Sequence, residues 1–92
     1  MRPLSHAVPG ALAALLRDTP VSNGKVEFAW KATVGASLDR VTAVRLEGRT
    51  LIVDATGDHW AREIMRSSYV ILPRLQTLLG RETVTDIKVR TR

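Results

Sequence analysis

The apolar positions of the chain change period along its length, and each period names an element. From Val8 to Arg17 the strong helix formers Ala and Leu recur, Pro9 fits a first helical turn, and Pro20 stops what precedes it. A first short helix is expected there. Ser22-Asn23-Gly24 then offer cap residues, after which Val26, Ala29, Trp30, Thr33 and Val34 fall at helical spacing, with Gly35 as a stop. A second helix therefore carries Trp30 on its apolar face. Beyond it the pattern turns to period two and to β-branched residues on both sides of Glu47-Gly48. This predicts a β-hairpin, Arg40–Leu46 paired with Arg49–Thr56, in which Gly48 takes the positive φ of a tight turn. On the second strand Leu51, Val53 and Ala55 share one face, while Thr50, Asp54 and Thr56 share the other with Ile52 as an exception.

The longest periodic stretch runs from Asp58 to Leu79, where Trp60, Ile64, Ser68, Ile71, Leu75 and Leu78 keep a 3.6-residue repeat. Asp58 reads as its N-cap and Gly80 as its stop. Pro73 lies inside, removes a hydrogen bond to the carbonyl four residues back, and predicts a kink or division near Tyr69. The closing segment from Thr83 to Arg92 alternates again and reads as a third strand. The predicted order is α-α-β-β-α-β, an α+β domain with helices packed on one face of a three-stranded sheet. With 92 residues the chain has room for one domain, taken as 1–92.

Composition narrows the class. An apolar share of 45% with 25% charged residues is that of a globular domain. The apolar run Ala11–Leu16 falls short of a signal-peptide core, and no segment approaches the roughly 20 residues that span a bilayer. A cytoplasmic protein with no membrane partner is expected. The absence of cysteine removes disulfides, thiolate-bound zinc and thiol catalysis. Fourteen Lys and Arg against nine Asp and Glu give a net charge of +5, which points to a polyanionic partner.

Candidate chemistry is sparse. His59 and Glu63, four apart, would share a helix face, but zinc needs three or four protein ligands and His6 is the only other histidine. No metal is expected. There is no nucleophile elbow, P-loop or dinucleotide fingerprint, so no enzyme activity, cofactor or small-molecule substrate is expected either. Trp30 and Trp60 are potential base-stacking platforms, yet both sit on the apolar stripes of their helices in a chain with four aromatic residues. The core assignment is the stronger. Arg62 and Arg66 share one helical flank, while Arg45, Arg49, Lys88, Arg90 and Arg92 lie on or beside the strands. Gathered, these would contact phosphates; dispersed, they are solubilising charge, and the pattern leaves both open.

The ordered pattern of these pieces resembles the bacterial DciA family. It comprises Trp30 followed by Val34-Gly35, the turn Glu47-Gly48, Leu51 and Val53, then Trp60-Ala61 with Glu63-Ile64, Leu79-Gly80, and Ile87 with Val89. The likeness spans about residues 26–90. It implies a small KH-like module in DNA replication that binds the replicative helicase, assists its loading, and contacts single-stranded DNA, while the charge excess, acting through phosphates, makes that contact weak and salt-sensitive. A KH-like RNA-binding module in translation or RNA metabolism is the alternative. KH domains clamp the nucleic-acid backbone with a G-x-x-G loop, and no glycine here has another three positions on, so recognition by that route is not expected under either reading.

Overall fold

The computed structural model describes residues 21–92, so the helix expected over Val8–Arg17 lies outside the described residues. Helix α1, Asn23–Val34, starts where Ser22 Oγ accepts the Lys25 N–H at 3.2 Å. Its periodic positions Val26, Ala29, Trp30, Thr33 and Val34 are all buried. Gly35, at φ 89°, ends it by donating its N–H to the Lys31 carbonyl at 2.9 Å. The Gly35 carbonyl then accepts the Asp39 N–H at 3.0 Å, opening a second helix, α2, over Ala36–Arg40. A positive φ is what lets one residue close one helix and start another at an angle.

Helix α2 corrects the sequence reading, which ran the first strand from Arg40. Five residues are too few for a 3.6-residue period to show, and the strand β1 begins only at Thr42, running to Glu47. The hairpin returns through Gly48, at φ 62°, into β2, Thr50–Ala55. The third strand, β3, covers Asp86–Thr91. The sheet order is β1-β2-β3, antiparallel between the first two with Val44 opposite Val53, and parallel between the last two with Val53 opposite Val89.

A parallel neighbour requires a crossover. That crossover is helix α3, Asp58–Leu79. It is one helix through Pro73, not divided near Tyr69. The missing hydrogen bond would fall on Tyr69, which is 78% exposed, so it lies on the wet flank where water satisfies a freed carbonyl. The helix start also differs from expectation. Gly57, not Asp58, is the cap residue, and Asp58 in the first turn accepts the Thr91 hydroxyl at 3.2 Å, tying the helix start to the end of β3.

Helices α1 and α3 cover the same side of the sheet, where Leu51, Val53 and Ala55 of β2 meet Trp30, Ile64 and Leu75. This is the expected small α+β, KH-like arrangement, although its first two helices among the described residues are α1 and the unforeseen α2. Trp30, 1% exposed, donates its Nε1–H to Thr42 Oγ1 at 2.9 Å, and that hydroxyl donates to the Leu38 carbonyl at 2.8 Å. One side chain thereby joins α1, α2 and β1. Trp60 is half-buried at the margin of the core, its ring edge-on to His59 with centroids 5.1 Å apart.

Removing Trp30 therefore both empties the core and breaks this chain of bonds. Trp30→Ala should cost about 3–5 kcal/mol, most of the stability of a small domain. Trp30→Phe, which keeps the apolar bulk but loses the donor to Thr42, should cost about 1–2 kcal/mol. Trp60→Ala should cost less than Trp30→Ala because less of it is buried. Urea unfolding followed by circular dichroism measures all three, and equal losses for the two alanine variants would place Trp60 in the core as firmly as Trp30.

Candidate interaction surface

Strand alternation and register decide where the strand cations go. Because Leu51, Val53 and Ala55 face the helices, the opposite face carries Arg45, Ile52 and Lys88 in one row and Ala43, Asp54 and Arg90 in the next. Asp54 accepts Arg90 Nε at 2.9 Å and Arg45 Nη1 at 3.2 Å, bridging all three strands. Arg45 Nε also reaches Glu47 at 2.6 Å. Arg45 and Arg90 are thus brought together, but around a carboxylate that neutralises them. Lys88 is exposed beside them, and Ile52 between its partners Arg45 and Lys88 is buried, although it lies on the face away from the helices. The Arg90 hydrogen bond, foremost, and the charges of Arg90 and Arg45 hold the Asp54 carboxyl below its ordinary pKa against the opposing effect of its burial.

The helix layer is different. Along the outer flank of α3, Arg62, Arg66, Val70 and Arg74 follow one another at intervals of four, with Met65 and Tyr69 beside them. Met65 is 56% exposed and Tyr69 78%. Arg66 Nη1 pairs with Glu63 at 3.2 Å, whereas Arg62 and Arg74 have no ion pair among the described residues. Arg49 stands exposed in the hairpin turn, where its carbonyl accepts the Thr85 N–H at 2.8 Å.

Of the seven cations singled out in the sequence, Arg92 follows the end of β3 and the other six do not converge. Arg45, Lys88 and Arg90 lie on the sheet face, Arg62 and Arg66 on the helix face, and Arg49 at the turn. Met65, Tyr69 and Arg74 were missed. Their signal was the four-residue repeat from Arg62, which an expected break at Pro73 obscured. Among the described residues no three of His, Asp and Glu come together to hold a metal, and no helix is long and apolar enough to cross a membrane.

What remains is a small α+β domain with two unlike surfaces among the described residues, a charge-paired sheet and a helix flank bearing cations without ion pairs and exposed apolar side chains. The family model described as Dna[CI] antecedent, DciA, matches residues 3–89, and the chain belongs to the DciA family. That family is associated with loading of the replicative helicase in DNA replication and is one of accessory proteins rather than catalysts. The match reaches further toward the N-terminus than the motifs between residues 26 and 90. No curated protein matches the chain.

The Asp54 bridge has a defined pH signature. A carboxyl whose folded pKa is depressed contributes stability that is fully present above its unfolded pKa and is lost as pH falls through the folded value. The stability difference between the unaltered protein and Asp54→Asn should therefore hold steady above about pH 5 and shrink below about pH 4. Denaturant titrations at several pH values measure it, and a difference that persisted to about pH 2 would exclude Asp54 as its source.

Proposed function

We propose that this domain is a replication accessory protein of the cytoplasm that docks on the replicative DNA helicase and helps place it on single-stranded DNA, without hydrolysing anything itself. The observation that carries the reading is membership of the DciA family across residues 3–89. The distribution of charge supports it. Among the described residues, Arg62 and Arg74 have no ion pair, while Arg45 and Arg90 are already engaged by Asp54. The α3 flank is therefore the surface from which this chain meets an anionic partner.

Contacts of this kind act through phosphates and steer association more than they read sequence. Binding to a single-stranded oligonucleotide should be weak and largely independent of sequence, and log affinity should fall linearly with log salt by about 0.7 for each phosphate engaged. Pull-down with the cell's replicative helicase tests the protein contact, and fluorescence anisotropy over a salt series tests the DNA contact. Charge reversal of Arg62→Glu with Arg66→Glu should leave the circular dichroism spectrum unchanged and lower stability by about 1 kcal/mol at most, since both side chains are exposed and the Glu63 pair is an exposed one. It should weaken binding to helicase, DNA or both. Unchanged affinity for both would leave these arginines as solubilising charge, and no helicase binding by the unaltered protein would remove the loading role.

A further inference from the structure

Where α1, α2 and α3 meet, the helix layer is not closed. A groove of about 300 Å³ opens there, walled by Val34, Leu38, Val70 and Ile71 and edged by Arg66, Tyr69 and Arg74. No acidic residue lines it among the described residues. Thr33 also lines it, is 3% exposed, and its Oγ1 has no hydrogen-bond partner among the described residues. A buried hydroxyl left unpaired costs stability, and threonine in a helix ordinarily relieves this by bonding back to its own helix. Here it does not.

We propose that this groove receives an apolar side chain from an acidic segment of a partner protein. The apolar walls suit the side chain; Arg74 at the rim, with no ion pair among the described residues, suits a carboxylate beside it, and Arg66, which shares its charge with Glu63, adds to the positive rim; the Thr33 hydroxyl gains the polar partner it lacks in the free protein. An exposed Tyr beside Arg and Met is also the composition in which binding energy concentrates at protein interfaces. A nucleic-acid strand is the weaker occupant, because non-specific single-strand sites stack successive bases on several aromatic rings, and among the described residues only Tyr69 stands here. The proposal rests on the helicase reading for the identity of the partner, not for the chemistry of the groove.

The test uses the full chain and three single variants, with the cell's replicative helicase as ligand in calorimetric titration. Arg74→Glu should weaken binding about tenfold or more, and Tyr69→Ala comparably. Thr33→Val should weaken it several-fold while the melting temperature stays the same or rises, because the hydroxyl contributes no bond to the free protein. Full affinity in all three variants overturns the groove while leaving the helicase reading intact. If the unaltered protein ignores the helicase, that reading fails and the groove is judged by amide chemical shifts. A short synthetic peptide with a central leucine between aspartates should then shift Thr33, Val34, Val70 and Arg74, and its lysine counterpart should not; no shift overturns the proposal. Two further results also overturn it. One is loss of oligo(dT) binding in Arg74→Glu and Tyr69→Ala with helicase and peptide binding unchanged. The other is self-association through the groove, seen by light scattering and abolished by Arg74→Glu.

Discussion

The parallel pairing of β2 with β3 is the constraint on which the rest of this structure depends. It makes β2 the central strand, so that Leu51, Val53 and Ala55 are sealed on one face and hydrogen-bonded on both edges. It also obliges the chain to travel back along the sheet before the third strand can be laid down, and α3 is that return path. The crossover is pinned at both ends. Thr91 bonds to Asp58 at its start, and Gln76 Nε2 donates to the Val84 carbonyl at 3.0 Å near its finish. Because the inner stripe of α3 closes the core, its outer stripe must stand in solvent over the whole length of the sheet. A long exposed helical flank is thus a consequence of topology, and the side chains placed on it become surface whatever they are.

What those side chains do follows from how charge is shared between the two layers. Strands bring residues from distant parts of the chain into rows, and here the rows set Asp54 beside Arg45 and Arg90. Each exposed ion pair of this kind is worth little to stability, about 0–1 kcal/mol. Its larger effect is on what remains available, since a cation already facing a carboxylate has less to gain from a phosphate or an acidic side chain. On α3 the only ion pair among the described residues is that of Glu63 with Arg66. Among the described residues, the cations of the sheet face are therefore paired with carboxylates to a greater extent than those of the α3 flank.

Elements governed by local periodicity were legible in the sequence. The buried stripe of α1, the turn at Gly48, the inward set of β2 and the stop at Gly80 all stand where the pattern put them. Elements governed by tertiary context were not. Helix α2 has too few turns to show a period, and its place is set by the Gly35 pivot and the Thr42 hydroxyl rather than by an apolar stripe. Pro73 reads locally as a break, but its defect falls on the solvent side of a helix held in place by its opposite face. The cation rows were partly legible. A tight turn at Gly48 fixes Arg45 opposite Ile52, next to Asp54, yet the register that brings Arg90 to Asp54 is set across the α3 crossover, over a separation that no local pattern reports.

The residues that identify the family are, in this structure, mostly the residues that build it. Trp30 is buried, Gly35 turns α1 into α2, Leu51 and Val53 lie at the centre of the sheet, Ala61 and Ile64 seat α3, and Gly80 ends it. Arg62, Met65, Arg66, Tyr69 and Arg74 fall in the gaps between those positions. A pattern made of core and turn residues specifies where the α3 flank will be and leaves open what it presents. Two chains can therefore share this scaffold and meet different partners, since the outer flank can change without disturbing the packing of the inner one. The groove beside Thr33 joins the two faces, because Val34 and Ile71 on its walls belong to the core while Val70, Arg66, Tyr69 and Arg74 belong to the outer flank. Fold and recognition are thus written on opposite faces of one helix.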